Sequence, residues 1–462
     1  MTTSSSDSQG LFIVGGVVKS RITNGDIKIL QDYLSNLLQV HNLVILIGSG
    51  ASFHLGSPKT RNLDTEAVEK LITDAGFTVE PTDEKLLRVL NPDDGGDLEK
   101  LLNGLQLALS LASQVTQDSI TLGEDTVAQS FSVDDIENLR EKISVALAFA
   151  CRLPGELSSI EPDYQNDPLL AHRNFISRIV RNRRANLPRP RIFTTNYDLV
   201  IESALDQLGY PYVDGFSGTV ERRLNLSYYG LDFHRVDSTS QQVLARADNA
   251  LYLHKIHGSL NWKAVTELEA TTGIESLEVH QVTDDAAAQG ERVLIYPTTA
   301  KEGDTLAYPY SDLIRLLGDA VQQDDTAIIS VGYGFADAHI NRILLRSLAM
   351  NPTLNVLVVD PCGVLEDQDM ATAATDGNLV GTTLSQAGFT AKSTAIATLA
   401  TCADARIAVL TGNSGKFTEF ADIMPDPSLG GGQAPPLEVM GLIQSLEAAL
   451  TRSTSTADDS DA

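Results

Sequence analysis

The sequence predicts an α/β protein: a Rossmann-like, doubly wound parallel sheet with an inserted helical module. Three observations carry this expectation. Short aliphatic runs, among them Leu43–Ile47, Ala327–Val331 and Asn355–Val359, have the length and β-branched content of strands buried on both faces. Stretches with helical periodicity separate them, which is the alternation of a parallel sheet. The runs end in glycine or in small polar residues, at the carboxyl ends of strands, where such sheets open a ligand crevice. Residues 80–152 break the alternation with helical pattern alone and are read as the insertion.

Length and charge narrow the function classes. At 462 residues the chain can bury one large core or two ordinary ones. Its formal net charge of −27 argues against a broad nucleic-acid surface, since phosphate backbones would be repelled. No apolar run approaches the ~18 residues of a membrane span. Leu11–Val14 lacks the basic flank and the cleavage site of a signal peptide. Cys151, Cys362 and Cys402 are few and scattered, which speaks against a disulfide framework and for a reducing cytoplasm.

In chain order, residues 1–10 are expected to be disordered, 11–450 to form the domain, and 451–462 to be an acidic disordered tail. Ile27, Leu30, Leu34 and Leu37 lie on one helical stripe. The strand 43–47 runs into Gly48-Ser49-Gly50-Ala51-Ser52, where glycine permits a sharp turn and close approach of a ligand. With a helix capped by Asp64 beyond it, this is the order that holds a pyrophosphate on backbone N–H groups; a plain tight turn is the equal alternative. Between them, Gly56 to Thr60 reads as a loop. Inside 80–152, the stripe Leu98, Leu101, Leu102 and Leu105 and the segment 136–149 read as helices, and 114–135 as a loop.

A helix over 174–184 ends on Arg181, Arg183 and Arg184, a basic cluster suited to a solvated helix C-terminus, and Pro188 and Pro190 stop it. Strand 191–195 leads to Asn196-Tyr197-Asp198 and a helix over 199–208. Residues 210–250 read as an irregular insertion. Strand 251–258 closes on His257-Gly258, with His254 on the opposite face. A strand at 293–297 and a helix at 311–321 precede Ala327–Val331 and Gly332-Tyr333, after which Asp337 can cap a helix running to Met350. Strand 355–360 ends in Asp360; a strand at 406–410 and helices at 416–423 and 437–450 complete the chain. Thr411 to Phe417 lacks the glycine spacing and the Mg-binding hydroxyl of a phosphate loop, so ATP hydrolysis is not read there.

Taken in order, Gly48-Ser49-Gly50-Ala51-Ser52, Thr194-Thr195-Asn196-Tyr197-Asp198, His257-Gly258 and Gly332-Tyr333 resemble the sirtuin signature. The chain is most similar to the divergent prokaryotic sirtuin-like branch, whose members act as NAD-hydrolysing effectors in anti-phage defence beside a HerA-type ATPase, an Argonaute or another sensor. The resemblance implies NAD+ as substrate and Asn196 and His257 as catalytic residues. It implies that Gly48, Ser49, Gly50, Ala51, Ser52, Thr195, Asp198, Gly332, Tyr333 and Asp360 bind the NAD+. It further implies a toxic effector that stays silent until homo-oligomer assembly or a partner triggers it. A protein deacylase or ADP-ribosyltransferase, and a non-catalytic NAD or ADP-ribose sensor, are the alternatives. The deacylases carry a zinc module of paired cysteines; three scattered cysteines cannot supply four thiolates, so no zinc is expected and deacylation is disfavoured. Pro58-Lys59-Thr60-Arg61 also stands where the family has Pro-Asp-Phe-Arg.

The chemistry suits these residue types. Breaking the nicotinamide–ribosyl bond develops oxocarbenium character at the ribose and releases a neutral pyridine, so no strong acid is required. Asn196 offers an acceptor and a donor without ionising. His257 can take a proton from a ribose hydroxyl or a water. Asp198 either orients these groups or caps the helix after it, and Asp360 either takes the adenosine ribose hydroxyls or turns the chain.

Overall fold

The computed structural model describes residues 10–22, 27–57, 64–91, 98–123, 128–152, 167–236, 244–247, 249–268, 275–282, 293–295 and 308–427. The expectations placed on 1–9, on the loop beyond Ser57, on 296–297 and on the last helix and acidic tail lie outside those residues.

The strands, in chain order, are β1 (Gly10–Val14), β2 (Val17–Ile22), β3 (Asn42–Ile47), β4 (Ser119–Leu122), β5 (Gln129–Ser132), β6 (Arg191–Thr194), β7 (Tyr212–Val213), β8 (Phe216–Ser217) and β9 (Arg222–Leu224). They continue as β10 (His234–Val236), β11 (Leu244–Arg246), β12 (Leu251–Lys255), β13 (Gly258–Leu268), β14 (Glu275–Gln281), β15 (Val293–Ile295), β16 (Thr326–Val331), β17 (Asn355–Val359) and β18 (Ile407–Gly412). The main sheet has the order β2-β1-β18-β17-β16-β3-β6-β12-β7 and is parallel from β18 to β7. From β3 the chain winds one way through β6 and β12, and from β16 the other way through β17 and β18. The order therefore reverses between β3 and β16, the position at which a doubly wound sheet forms its crevice.

Strand geometry splits the aliphatic runs between two cores. Leu43, Ile45 and Ile47 of β3 join one buried cluster with Leu30, Phe175, Ile201 and Phe420, contributed by helices on that face. Val44 and Leu46 face the other way, into a cluster with Leu313, Leu317 and Ile340. Alternate residues of one strand feeding opposite cores is what period-two geometry requires of a sheet covered on both sides. The doubly wound expectation holds.

A third cluster belongs to the helices Thr65–Asp74, Pro81–Leu90, Leu98–Val115 and Val133–Ala150. It includes Tyr197 and Leu260, so these helices pack onto the carboxyl ends of β6 and β12. Asp64 caps the first of them by accepting from Ala67 N at 2.7 Å. Among the described residues no helix is long and apolar enough to cross a membrane.

Four details differ from the sequence reading. Leu11–Val14 is a sheet strand: β1 pairs antiparallel with β18 and with β2, so the parallel sheet carries an antiparallel hairpin at one edge. The loop expected at 114–135 contains the hairpin β4–β5. The irregular 210–250 contributes β8 and β9 to a second sheet, ordered β15-β13-β14-β9-β8. The strand expected over 251–258 stops at Lys255, so His257 sits in the turn between β12 and β13. The β1–β18 and β9–β14 pairings join segments remote in sequence, which local pattern cannot register, and the β1–β2 and β4–β5 hairpins are local but built of strands too short to show a clear alternation.

Candidate active site

The site forms where β3, β6, β12 and β16 end side by side. In register, Thr194 of β6 lies beside Lys255 of β12, so Asn196 and His257 each follow two residues past one paired position. β3 pairs with both β6 and β16, which brings Gly48–Ser52 between the Asn196 turn and Gly332.

The glycine turn is shaped by protein rather than by open space. Gly332 has φ of +63°, and a Cβ there would lie 2.4 Å from Ala51 N. A Cβ on Gly48 would lie 2.6 Å from Gly332 O, and one on Gly50 2.8 Å from Gly332 Cα. The two loops interlock backbone to backbone, as only glycine allows. Gly48 N donates to Val331 O and Gly50 N to Gly332 O at 3.0 and 2.9 Å, while Ala51 N and Ser52 N donate to Gly48 O and Ser49 O. These four N–H groups are thus committed to carbonyls, where the sequence reading reserved backbone donors for a pyrophosphate. The close approach that the glycines permit is that of Gly332.

From this platform a buried relay extends. Ser52 Oγ donates to Asp198 Oδ2 at 2.8 Å, and Asn196 Nδ2 donates to Ser52 Oγ at 3.2 Å. Ser52 has one hydroxyl proton and gives it to the carboxylate, so the amide atom that faces it must be the donor. That fixes the Asn196 orientation and leaves its Oδ1 buried without a hydrogen-bond partner among the described residues. An unpartnered buried acceptor costs about 1–3 kcal/mol, so it calls for an account. Asp198 Oδ1 accepts from Val200 N at 3.2 Å just before the helix Val200–Leu208, whose N-cap is Leu199 without a side-chain cap, while Oδ2 holds Ser52. Burial pushes the Asp198 carboxyl up, and Lys255, Ser52, the Val200 N–H and Asn196 oppose that.

Lys255 is the buried cation under the site. Its Nζ lies 2.9 Å from Glu202 Oε1, donates to Tyr197 O at 3.3 Å and also donates to Asp198 O. It ties the turn that carries Asn196 to β12, and a buried charge held this way is paired as it must be.

His257 has a partner that sequence reasoning assigned elsewhere. Its Nε2 lies 3.0 Å from Asp337 Oδ2, and both residues are nearly buried, at 9% and 8% exposure. The expected cap is present too: Asp337 Oδ1 accepts from His339 N and Ile340 N at 2.9 and 3.4 Å. The cap uses one carboxylate oxygen, and the second meets the histidine.

The other expected residues fall around this centre. Thr195 N donates to Ile47 O at 3.0 Å, pinning the Asn196 turn to β3. Tyr333 is buried and its hydroxyl donates to Asn341 Oδ1 at 3.1 Å, holding the Gly332 loop on the helix Ala338–Met350. Asp360 Oδ1 accepts from Cys362 N at 3.0 Å and Gly363 N at 2.6 Å, the chain-turning role. His254 is buried, stacked between Phe193 and Tyr229 at 4.2 and 4.0 Å, away from the centre. Among the described residues no group of three or more His, Cys, Asp or Glu is arranged to hold a metal.

An amide, a histidine–carboxylate pair and a hydroxyl relay thus meet at the switch point of a doubly wound sheet, the position at which such sheets take their ligands. Residues 190–378 match the family model of the SIR2-like domain, so this stretch, with Asn196, Asp198, His257, Gly332, Asp337 and Asp360, is similar to a family that uses NAD+. The glycine turn Gly48–Ser52 lies outside the matched span. No curated protein matches the chain.

Proposed function

We propose that the chain is an NAD+ hydrolase that converts NAD+ and water to nicotinamide, ADP-ribose and a proton. The observation that carries this reading is Asn196 Oδ1, buried, held in one orientation by the Ser52–Asp198 relay and without a partner among the described residues. An acceptor kept that way fits a ribose hydroxyl or the attacking water, either of which satisfies it only when substrate is bound. Asn196 orients; it has no proton to exchange.

His257 supplies the base. Asp337 accepts from Nε2 and so directs the lone pair of Nδ1 toward the proton lost by a ribose hydroxyl or by water. As the C1′–N bond breaks, positive charge grows on the ribose and nicotinamide leaves neutral, so fixing the ribose and excluding bulk water are the protein's main tasks. The helices around Tyr197 and Leu260 pack over this end of the sheet and suit the second task.

The resemblance of the signature residues extends the reading to biology: a cytoplasmic effector subunit of an anti-phage defence system, silent until homo-oligomer assembly or a partner such as a HerA-type ATPase activates it. Light scattering together with NAD+ turnover checks this part; a monomer fully active at every concentration counts against it.

The activity is tested by incubating the purified chain with NAD+, alone and with its genomic neighbour, and resolving the products. Asn196→Ala and His257→Ala are each expected to lower NAD+ loss by about 100-fold or more while circular dichroism stays that of the parent. Parental turnover in both variants overturns the reading.

A further inference from the structure

A second cavity lies at the other end of the same strands. It measures about 390 Å³ and is lined by Arg181, Arg183, Arg184, Arg189 and Arg246 with Pro188. From Arg191, where β6 begins, to Asn196 the chain rises roughly 16 Å, so this is not part of the switch-point crevice. Residues 181–189 also precede the matched SIR2-like span.

Three of the arginines build the wall. Arg183 donates to Leu38 O, Val40 O, His41 O and Pro188 O at 2.8–3.0 Å. Arg189 pairs with Asp232 and donates to Ala247 O at 2.9 Å, and Arg246 Nε donates to Asp232 Oδ2 at 3.1 Å. One carboxylate is therefore shared by two guanidinium groups. Burial and the neighbouring Arg246 push Arg183 down to about 10. Its Nε is buried without an acceptor among the described residues. Arg181 and Arg184 stand apart: among the described residues neither guanidinium makes a hydrogen bond or an ion pair, and Arg184 is engaged only through its carbonyl, which accepts from Leu187 N. Serving the carbonyls at a helix C-terminus accounts for Arg183; it does not account for five guanidinium groups around one hollow in a chain of net charge −27.

We propose that this cavity binds a small phosphate-bearing organic anion of nucleotide size. Guanidinium groups match phosphoryl oxygens in pairs, and the volume falls in the range of small-molecule sites. The apolar wall of Leu187, Pro188, Pro190 and Pro427 gives a ring system a surface beside the charges. Arg181 and Arg184 grip the phosphates at the mouth, over a floor set by Arg183. The site does not depend on the NAD+ reading.

The probe is ATP, with binding followed by calorimetry at low salt and its location by hydrogen exchange. The parent is expected to bind, with protection over 181–190 and 244–250, and Arg181→Glu/Arg184→Glu to weaken binding by about tenfold or more. Arg342→Glu/Arg346→Glu, the same charge change on exposed positions of the helix Ala338–Met350, is expected to leave binding unchanged. The proposal is overturned if the parent does not bind, if both double variants behave alike, or if protection appears only around Asn196–Asp198. None of these readouts involves NAD+ turnover, so failure here and failure of the hydrolase reading are separable.

Discussion

Asn196 and Asp337 each gain their role from what the rest of the side chain is already committed to. The Asn196 amide gives Nδ2 to Ser52 and keeps Oδ1 unmatched among the described residues; the Asp337 carboxylate gives Oδ1 to a helix start and Oδ2 to His257. Asp337→Asn keeps an acceptor for the His339 and Ile340 N–H groups, so the helix cap survives while the charge facing His257 is lost. On the hydrolase reading, kcat for NAD+ loss is expected to fall about tenfold or more across the pH–rate profile, with KM little changed. An unaltered profile would mean that Asp337 only caps. Asn196, His257 and Asp198 were legible as strand-end polar residues. The use of Asp337 was not, because a capping position accounts for an Asp fully until the second oxygen is seen. Lys255 was legible in principle: a lysine inside Leu251–Ile256 has to find a carboxylate, and Glu202 is the one it finds.

At the level of elements, the interlock between the turns after β3 and β16 decides where the crevice is. Gly332→Ala forces a side chain into a positive-φ position and against Ala51 N. It is expected to cost about 2 kcal/mol or more in urea unfolding and to disturb the Ser52 relay that rests on the same turn. Unchanged stability would show that the two turns can separate. Breaking the buried pair below the site with Lys255→Met is expected to be destabilising by about 3–5 kcal/mol, since Glu202 is left uncompensated. The buried parallel strands were readable from sequence because both of their faces are apolar. The β1–β2 and β4–β5 hairpins were not, because such short strands carry too little alternation to register, and the β9–β14 pairing was not, because its strands lie far apart in the chain. The glycines of Gly48-Ser49-Gly50 were read as a place for a ligand to approach closely, and the group that approaches them is the Gly332 loop.

Over the whole molecule, the two cores on either face of the sheet each contain a buried neutral histidine or border one. Burial holds His172 and His254 well below the ordinary histidine range, with His54 beside the first and Arg191 beside the second adding to it. Folded-state values below the unfolded one mean that the unfolded chain takes up protons first. The stability these histidines contribute is therefore complete above about pH 6.5 and is lost as pH falls toward their folded values. Thermal melts at pH 7.5 and 5.5 are expected to show this loss, and His254→Phe to make it smaller by keeping the stack between Phe193 and Tyr229 without a titrating ring. An identical pH dependence in parent and variant would remove His254 from the account.

The sequence by itself determined the fold class and the ends at which the strands present polar residues, Asn196 and His257 among them, because burial on both faces and turn chemistry are written locally in residue type and period. Only the tertiary structure decided that Gly48 and Gly50 accommodate Gly332, that Asp337 reaches His257, that Lys255 ties Asp198 to Glu202, and that five arginines converge on one hollow. Each of those is a relation between strands or turns far apart in the chain. Their distances are set by sheet order and register, which no local pattern contains.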